Sequence, residues 1–114
     1  MDLQTLQQVL GAVAGVNVLV VGDVMLDRFV YGEVIRVSAE APIPVLAWAS
    51  EARMLGGAGN VARNIGALGG EAALVGLVGV DDAARDLMAL VDDEPRMRRG
   101  LAADPGRPTT VKMR

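Results

Sequence analysis

The apolar positions of this chain follow two alternating periods. Leu3, Leu6, Leu10 and Val13 recur at three- and four-residue steps, which predicts a short amphipathic helix over residues 2–14, ended by Gly15. Val16 to Val21 is almost wholly apolar and valine-rich, with Gly22 after it, and predicts a strand buried on both faces. Residues 28–50 then alternate, with Phe29, Tyr31, Glu33 and Ile35 set against Val30, Gly32, Val34 and Arg36. A second extended segment, Ile43 to Ala49, follows Pro42 and contains Pro44, and proline confines a strand to a sheet edge or its beginning. These two segments predict a small, partly exposed sheet apart from the main core.

Helical spacing returns over residues 58–68, with Val61, Ile65 and Leu68 as the expected buried stripe and Gly69-Gly70 as the stop. Ala72 to Val80 predicts a second buried strand. Asp81 or Asp82 then caps a helix whose apolar stripe is Ala84, Leu87, Met88 and Val91. Residues 92–108 are polar and rich in Arg and Pro, and predict a loop with room for a short strand; Thr109 to Met113 begins another strand. Two apolar strands joined through a helix predict a parallel pair with a right-handed crossover. Ligands of such sheets sit beyond the carboxyl ends of the strands. Asp23 and Asp27, the Gly56–Asn60 turn, and Asp81-Asp82 are expected to gather there.

Composition narrows the chemistry. The 114 residues suit one domain or a piece of one, and 52% hydrophobic residues indicate a folded core. A net charge of −3 provides no basic field for nucleic acid. With no Cys and no His, disulfides, thiolate metal sites and imidazole bases are excluded from this stretch. Carboxylates, Asn, Arg, the single Lys112 and backbone groups remain. The longest apolar run, Ala72 to Val80, is far short of a membrane span, and no basic segment precedes an apolar one at the start. The expectation is a soluble cytoplasmic protein without membrane or nucleic-acid partners.

The run Leu55-Gly56-Gly57-Ala58-Gly59-Asn60-Val61-Ala62-Arg63-Asn64 carries the strongest functional signal. Glycines let a ligand approach main-chain N–H groups, and a helix start adds orphan donors. Three readings are open. Gly57-x-Gly59-x-x-Ala62 matches a dinucleotide fingerprint, with Asp81 about 20 residues on, but that turn should follow its strand directly, and here the preceding segment is proline-bearing and ends early. The glycines could serve only close helix–sheet packing. The third reading is a sugar site.

Gly56-Gly57-Ala58-Gly59-Asn60-x-Ala62, followed by Gly69 and Gly79, resembles the first signature of the ribokinase-like (PfkB) carbohydrate kinases. The likeness extends through Val20-Val21-Gly22-Asp23-Val24-Met25-Leu26-Asp27-Arg28, Tyr31-Gly32, Arg36 to Val45, and Leu74 to Ala84. It covers residue 16 to the end. The Gly22–Arg28 and Arg36–Val45 blocks are similar to the branch that phosphorylates D-glycero-β-D-manno-heptose 7-phosphate. The resemblance implies an α/β fold, the N-terminal portion of a three-layer α/β/α sandwich, with a β-sheet lid at about residues 28–50 through which two subunits pair. It implies that Asp27 binds sugar hydroxyls, that Gly56 and Gly57 let the sugar lie on backbone, and that Asn60 serves a hydroxyl as donor and acceptor. Asn64, one turn later on the same face, is a weaker candidate. It also implies ATP and Mg2+ as partners in the reaction.

One departure is large. The family's second signature, a Gly-Ala-Gly-Asp helix start that carries the catalytic base and anion hole, does not occur in these residues. The chain therefore resembles the N-terminal portion of a kinase domain, inactive alone, with most nucleotide contacts elsewhere. An unpaired apolar edge would leave it marginally stable. Another sugar or nucleoside kinase of this fold, and a non-catalytic sugar-binding fragment, are the alternatives.

Other residues keep two readings each. Asp23 either contacts substrate or caps local backbone. Asp81 and Asp82 suit a helix cap better than a metal. Arg96, Arg98 and Arg99 suit a solvated loop. Arg107, Lys112 and Arg114 are candidates for the sugar's phosphate, and Lys112 and Arg114 share a strand face by the two-residue period. Tyr31 and Trp48 suit lid packing or subunit contacts rather than sugar stacking.

Overall fold

The computed structural model describes residues 1–114. Nine elements follow in order: α1 (Leu3–Val13), β1 (Asn17–Val21), β2 (Val24–Val37), β3 (Pro44–Gly57), α2 (Ala58–Ala67), β4 (Glu71–Val78), α3 (Asp82–Asp93), β5 (Met97–Ala103) and β6 (Val111–Met113). They form two three-stranded sheets, β1-β4-β5 and β3-β2-β6. The first is all parallel, with Val20 opposite Leu74 and Val75 opposite Gly100. The predicted parallel pairing of the two apolar strands is present. The stretch 92–108, expected to be a loop with room for a short strand, contains the seven-residue strand β5.

The second sheet is the long β2–β3 hairpin with β6 laid parallel on β2, Asp27 opposite Lys112. Its strands extend further toward the core than the expected 28–50, so Asp27 lies inside β2 rather than in a loop after β1. The hairpin projects from the body. The radius of gyration, 18.3 Å, therefore exceeds the roughly 13 Å of a compact chain of this length.

One core serves both sheets. Leu26, Leu74, Leu87, Val78 and Val91 are fully buried, joined by Val24, Leu55, Ala62, Ala72 and Ala84. Each buried leucine is worth roughly 1.5–3 kcal/mol of transfer free energy. Helix α3 buries Ala84, Leu87 and Val91 as its spacing predicts. Helix α2 departs from prediction: Val61 and Leu68 are exposed, and Gly59 and Ala62 face inward. A Cβ on Gly59 would stand 3.1 Å from the Leu55 Cβ, so α2 sits too close to β3 for large side chains. The stripe of small residues marks that close approach.

Strand β1 is also corrected. Leu19 and Val21 are exposed while Val18 and Val20 turn inward, so only one face of β1 is covered. Helix α1 buries no residue. Gly15 and Gly69 take positive φ after their helices, and at α2 the amides of Gly70 and Gly69 bond back to Ile65 and Gly66, a Schellman stop.

Candidate functional site

The base of the hairpin brings the glycine turn against Asp27. Asp27 pairs with Met54 and Met25 with Gly56 across β2 and β3, and the two-residue period puts all four on one sheet face, away from Leu26 and Leu55. Gly56 is buried, and a Cβ there would stand 2.6 Å from Asp27 Cγ and 2.8 Å from Met25 Cγ. Only a glycine lets the carboxyl lie on this backbone. Asp27 Oδ1 is buried and accepts no hydrogen bond. An orphaned buried acceptor costs about 1–3 kcal/mol, more when charged.

Gly57 follows with φ +58°, ψ −131° and serves as the N-cap of α2, where no side chain caps. A Cβ there would overlap the Asp23 carbonyl oxygen. That oxygen accepts from the Ala58 amide at 2.8 Å, so the backbone of Asp23 ties β2 to the helix start. The Asp23 side chain makes no hydrogen bond, so it does not cap local backbone, and contact with substrate is the reading that remains. Asn60 lies in the first turn of α2, exposed; Asn64 is exposed one turn further from the glycines, about 6 Å along the axis. Neither asparagine side chain is engaged within the chain.

Lys112 joins Asp27, Met25 and Gly56 on the same face through the β2–β6 register. It makes no ion pair. Arg114 continues the pairing, its amide donating to Arg28 O at 2.8 Å, and its guanidinium lies 5.6 Å from the Phe29 ring centroid. That stacking is worth about 0.5–1 kcal/mol at an exposed site and leaves the guanidinium edge open. Arg107 is elsewhere, in an open cleft of about 390 Å³ over the carboxyl-terminal half of the core sheet, with Gly22, Asp23, Gly76 and Gly100. None of the chain's cavities is lined by Asp27, Gly56 or Asn60.

Asp81 and Asp82 do not join this group. Asp81 caps α3, accepting from the Ala84 amide at 2.8 Å, and also accepts from the amide and hydroxyl of Thr109, at 2.9 and 2.6 Å. The Thr109 hydroxyl first, then the Thr109 and Ala84 amides, hold the Asp81 carboxyl below the usual carboxylate range, with Arg85 adding in the same direction. Asp82 pairs with Arg85 on the surface. In the basic cluster, Arg98 and Arg99 lie on β5, and Arg99 bridges Asp92 at 3.3 Å.

Two features escaped the sequence. Arg28 and Arg53 share Glu51 and Asp86, fastening the hairpin base to α3 with contacts of 3.1–3.7 Å. The Asp81–Thr109 contact joins residues 28 apart. No local pattern announces either. Met25 escaped with them: the strand was expected only from residue 28, and it is the observed start of β2 at Val24 that puts Met25 on the face of Asp27.

The pfkB family carbohydrate kinase model matches residues 17–114. A curated relative, the bifunctional protein HldE of Caulobacter sp. (strain K31), is 58% identical over 110 residues, covering 96% of this chain and 22% of the relative. The chain spans 21–22% of the length of curated relatives such as this one. Among solved structures, a carbohydrate kinase from Agrobacterium tumefaciens aligns with TM-score 0.64 at 24% identity, covering 86% of this chain and 30% of that one. The phosphofructokinase-2 of Escherichia coli in complex with fructose-6-phosphate aligns with TM-score 0.66 at 24% identity, covering 88% and 30%. These two show the fold, a ribokinase-like α/β architecture. No helix is long and apolar enough to cross a membrane. With the glycine turn, the parallel sheet and the hairpin all accounted for, the chain belongs to the pfkB family of carbohydrate kinases.

Proposed function

We propose that this chain is the sugar-positioning portion of a kinase domain that phosphorylates D-glycero-D-manno-heptose 7-phosphate at its anomeric hydroxyl. One observation carries the reading: Asp27 Oδ1 is buried, unpartnered, and set against a backbone that only glycine allows. A sugar hydroxyl donating to this carboxyl would satisfy it, once Met25, which lies along Gly56 and Gly57, gives way. Charged acceptors make the stronger hydrogen bonds, about 1.5–3 kcal/mol each. Asn60 would hold a second hydroxyl from the first turn of α2. Lys112 and the open edge of Arg114 would take the 7-phosphate.

Phosphoryl transfer is mostly positioning and charge stabilisation. This chain would supply positioning. The base, the anion hole and most nucleotide contacts would come from other parts of the full-length protein. ATP with Mg2+ would supply the phosphoryl group; no group of three or more acidic side chains gathers on this chain, and we assign none of its residues to the metal. The kinship with proteins named bifunctional protein HldE supports a heptose substrate, and the product would then feed ADP-heptose supply for lipopolysaccharide. The outer half of the hairpin, with Tyr31 and Trp48 exposed, suits a lid that pairs with a second copy.

The test is turnover of a substrate panel by the full-length protein with Mg-ATP. The proposal expects kcat/KM for heptose 7-phosphate to exceed that for ribose or fructose 6-phosphate by at least about a hundredfold, the discrimination a lost pair of charged hydrogen bonds provides. Preference for another sugar would move the chain to another branch of the family. Sugar binding without turnover would favour a non-catalytic module.

A further inference from the structure

Strand β6 holds Lys112 beside Asp27 through only three residues of pairing, Leu26–Val111, Asp27–Lys112 and Arg28–Met113. So short a parallel strand specifies its register weakly. A slip of one residue would carry Lys112 to the opposite face of the sheet. Something outside the strand has to fix it.

The residue that does so is two positions before β6. Thr109 is buried at 6% exposure, in a segment otherwise open to solvent. Its hydroxyl accepts from the Gly79 amide at 2.8 Å and donates to Asp81 Oδ1 at 2.6 Å, while its own amide donates to Asp81 Oδ2 at 2.9 Å. All three of its polar links therefore end on the turn between β4 and α3. Gly79 admits this packing because a Cβ there would stand 2.8 Å from the Thr109 nitrogen and 2.9 Å from Asp81 Oδ2. From Thr109 onward the register runs without interruption: Leu26 donates to Thr110 O at 2.9 Å, Val30 to Arg114 O at 2.7 Å, and Arg114 to Arg28 O at 2.8 Å.

We propose that Asp81 and Thr109 are positioning residues, a register lock that sets β6 on β2 so that Lys112 stands on the Asp27 face. The inference rests on the reading of Lys112 as a phosphate ligand for its functional consequence, and on geometry alone for the lock. Asp81 has two separable duties. Oδ1 caps α3 and meets the Thr109 hydroxyl; Oδ2 serves the Thr109 amide alone. Asn caps helices as well as Asp, so Asp81→Asn keeps an oxygen for the Ala84 amide and turns an NH2 group against the Thr109 amide. Thr109→Val removes the hydroxyl and keeps the shape, and Thr109→Ser restores it.

Amide hydrogen exchange and steady-state kinetics of these variants in the full-length protein test the proposal. In Asp81→Asn and Thr109→Val, exchange at Leu26, Val30 and Arg114 is expected to accelerate about tenfold or more, with Ala84 and the β1–β4 amides unchanged. KM for the sugar phosphate is expected to rise about tenfold, with KM for ATP within about twofold, and Thr109→Ser to return both readouts to wild type. Unchanged exchange at the three β6-linked amides in Asp81→Asn overturns the lock, and so does loss of Ala84 protection together with theirs, since the effect would then pass through the helix. Lys112→Met separates the two ideas. If it leaves the sugar-phosphate KM unchanged, the ligand role of Lys112 fails while exchange still decides the lock. If it raises that KM and Thr109→Val does not, the lock is wrong.

Discussion

The two halves of the β2–β3 hairpin share one backbone ladder and have opposite surroundings. At the base, Val24, Leu26 and Leu55 are at most 4% exposed; toward the tip, Val34, Ile35, Val37 and Trp48 are 60–64% exposed. Main-chain pairing runs through both halves, and its two register shifts, between Tyr31 and Gly32 and between Val34 and Arg36, fall toward the tip. What differs is the cover: α2 and α3 pack on the base, and Glu51 and Asp86 hold Arg28 and Arg53 there. The half that carries Asp27 and Gly56 is thus anchored to the core, and the outer half keeps its apolar side chains exposed. One pair of strands thus presents a buried base and an exposed tip.

The comparison breaks first on stability. Leu26→Ala at the base should lose about 2–5 kcal/mol in denaturant unfolding, as buried leucine truncations do. Val34→Ala toward the tip should stay within about 0.5 kcal/mol. Equal losses would mean the tip is packed too. Next in size, Gly56→Ala drives a methyl into Asp27 and Met25. It should destabilise the chain by about 1–3 kcal/mol and weaken sugar binding, read by thermal unfolding and by calorimetry.

Smaller still is Trp48→Asp, which should leave the unfolding midpoint unchanged and shift a subunit equilibrium toward monomer in sedimentation velocity. An unchanged distribution would remove the tip from any subunit contact.

The smallest effect sharpens the contrast from outside the hairpin. The Asp81 carboxyl titrates lower in the folded chain than its unfolded value of about 3.9. Its contribution is fully present above that value and is lost as the pH falls through the lower folded one. Asp81→Asn should flatten that part of the acid-unfolding curve, measured by circular dichroism.

Legibility divides along a physical line. Helix α3 and strand β4 were readable because their cores are built from large side chains at regular spacing, Leu87 and Val91 in one and Leu74 and Val78 in the other. Helix α2 was misread because its buried face is Gly59 and Ala62, where contact is made by backbone approach rather than by side-chain volume. Strand β5 was read only as a loop with room for a short strand, because Arg98, Arg99 and Gly100 occupy exposed positions of it. In the candidate site, Asp27 and Gly56 could be named from a motif, yet their contact depends on a register set over fourteen-residue strands with two irregularities. The Asp81–Thr109 link spans 28 positions, and no period in the chain reaches that far.

The central claim is that Asp27 holds the sugar, and the kinetics of Asp27→Ala in the full-length protein test it most directly. The account predicts a fall of about a hundredfold or more in kcat/KM for heptose 7-phosphate, the loss of about two charge-assisted hydrogen bonds, with KM for ATP within about twofold of wild type. Sugar KM and kcat both unchanged would contradict it.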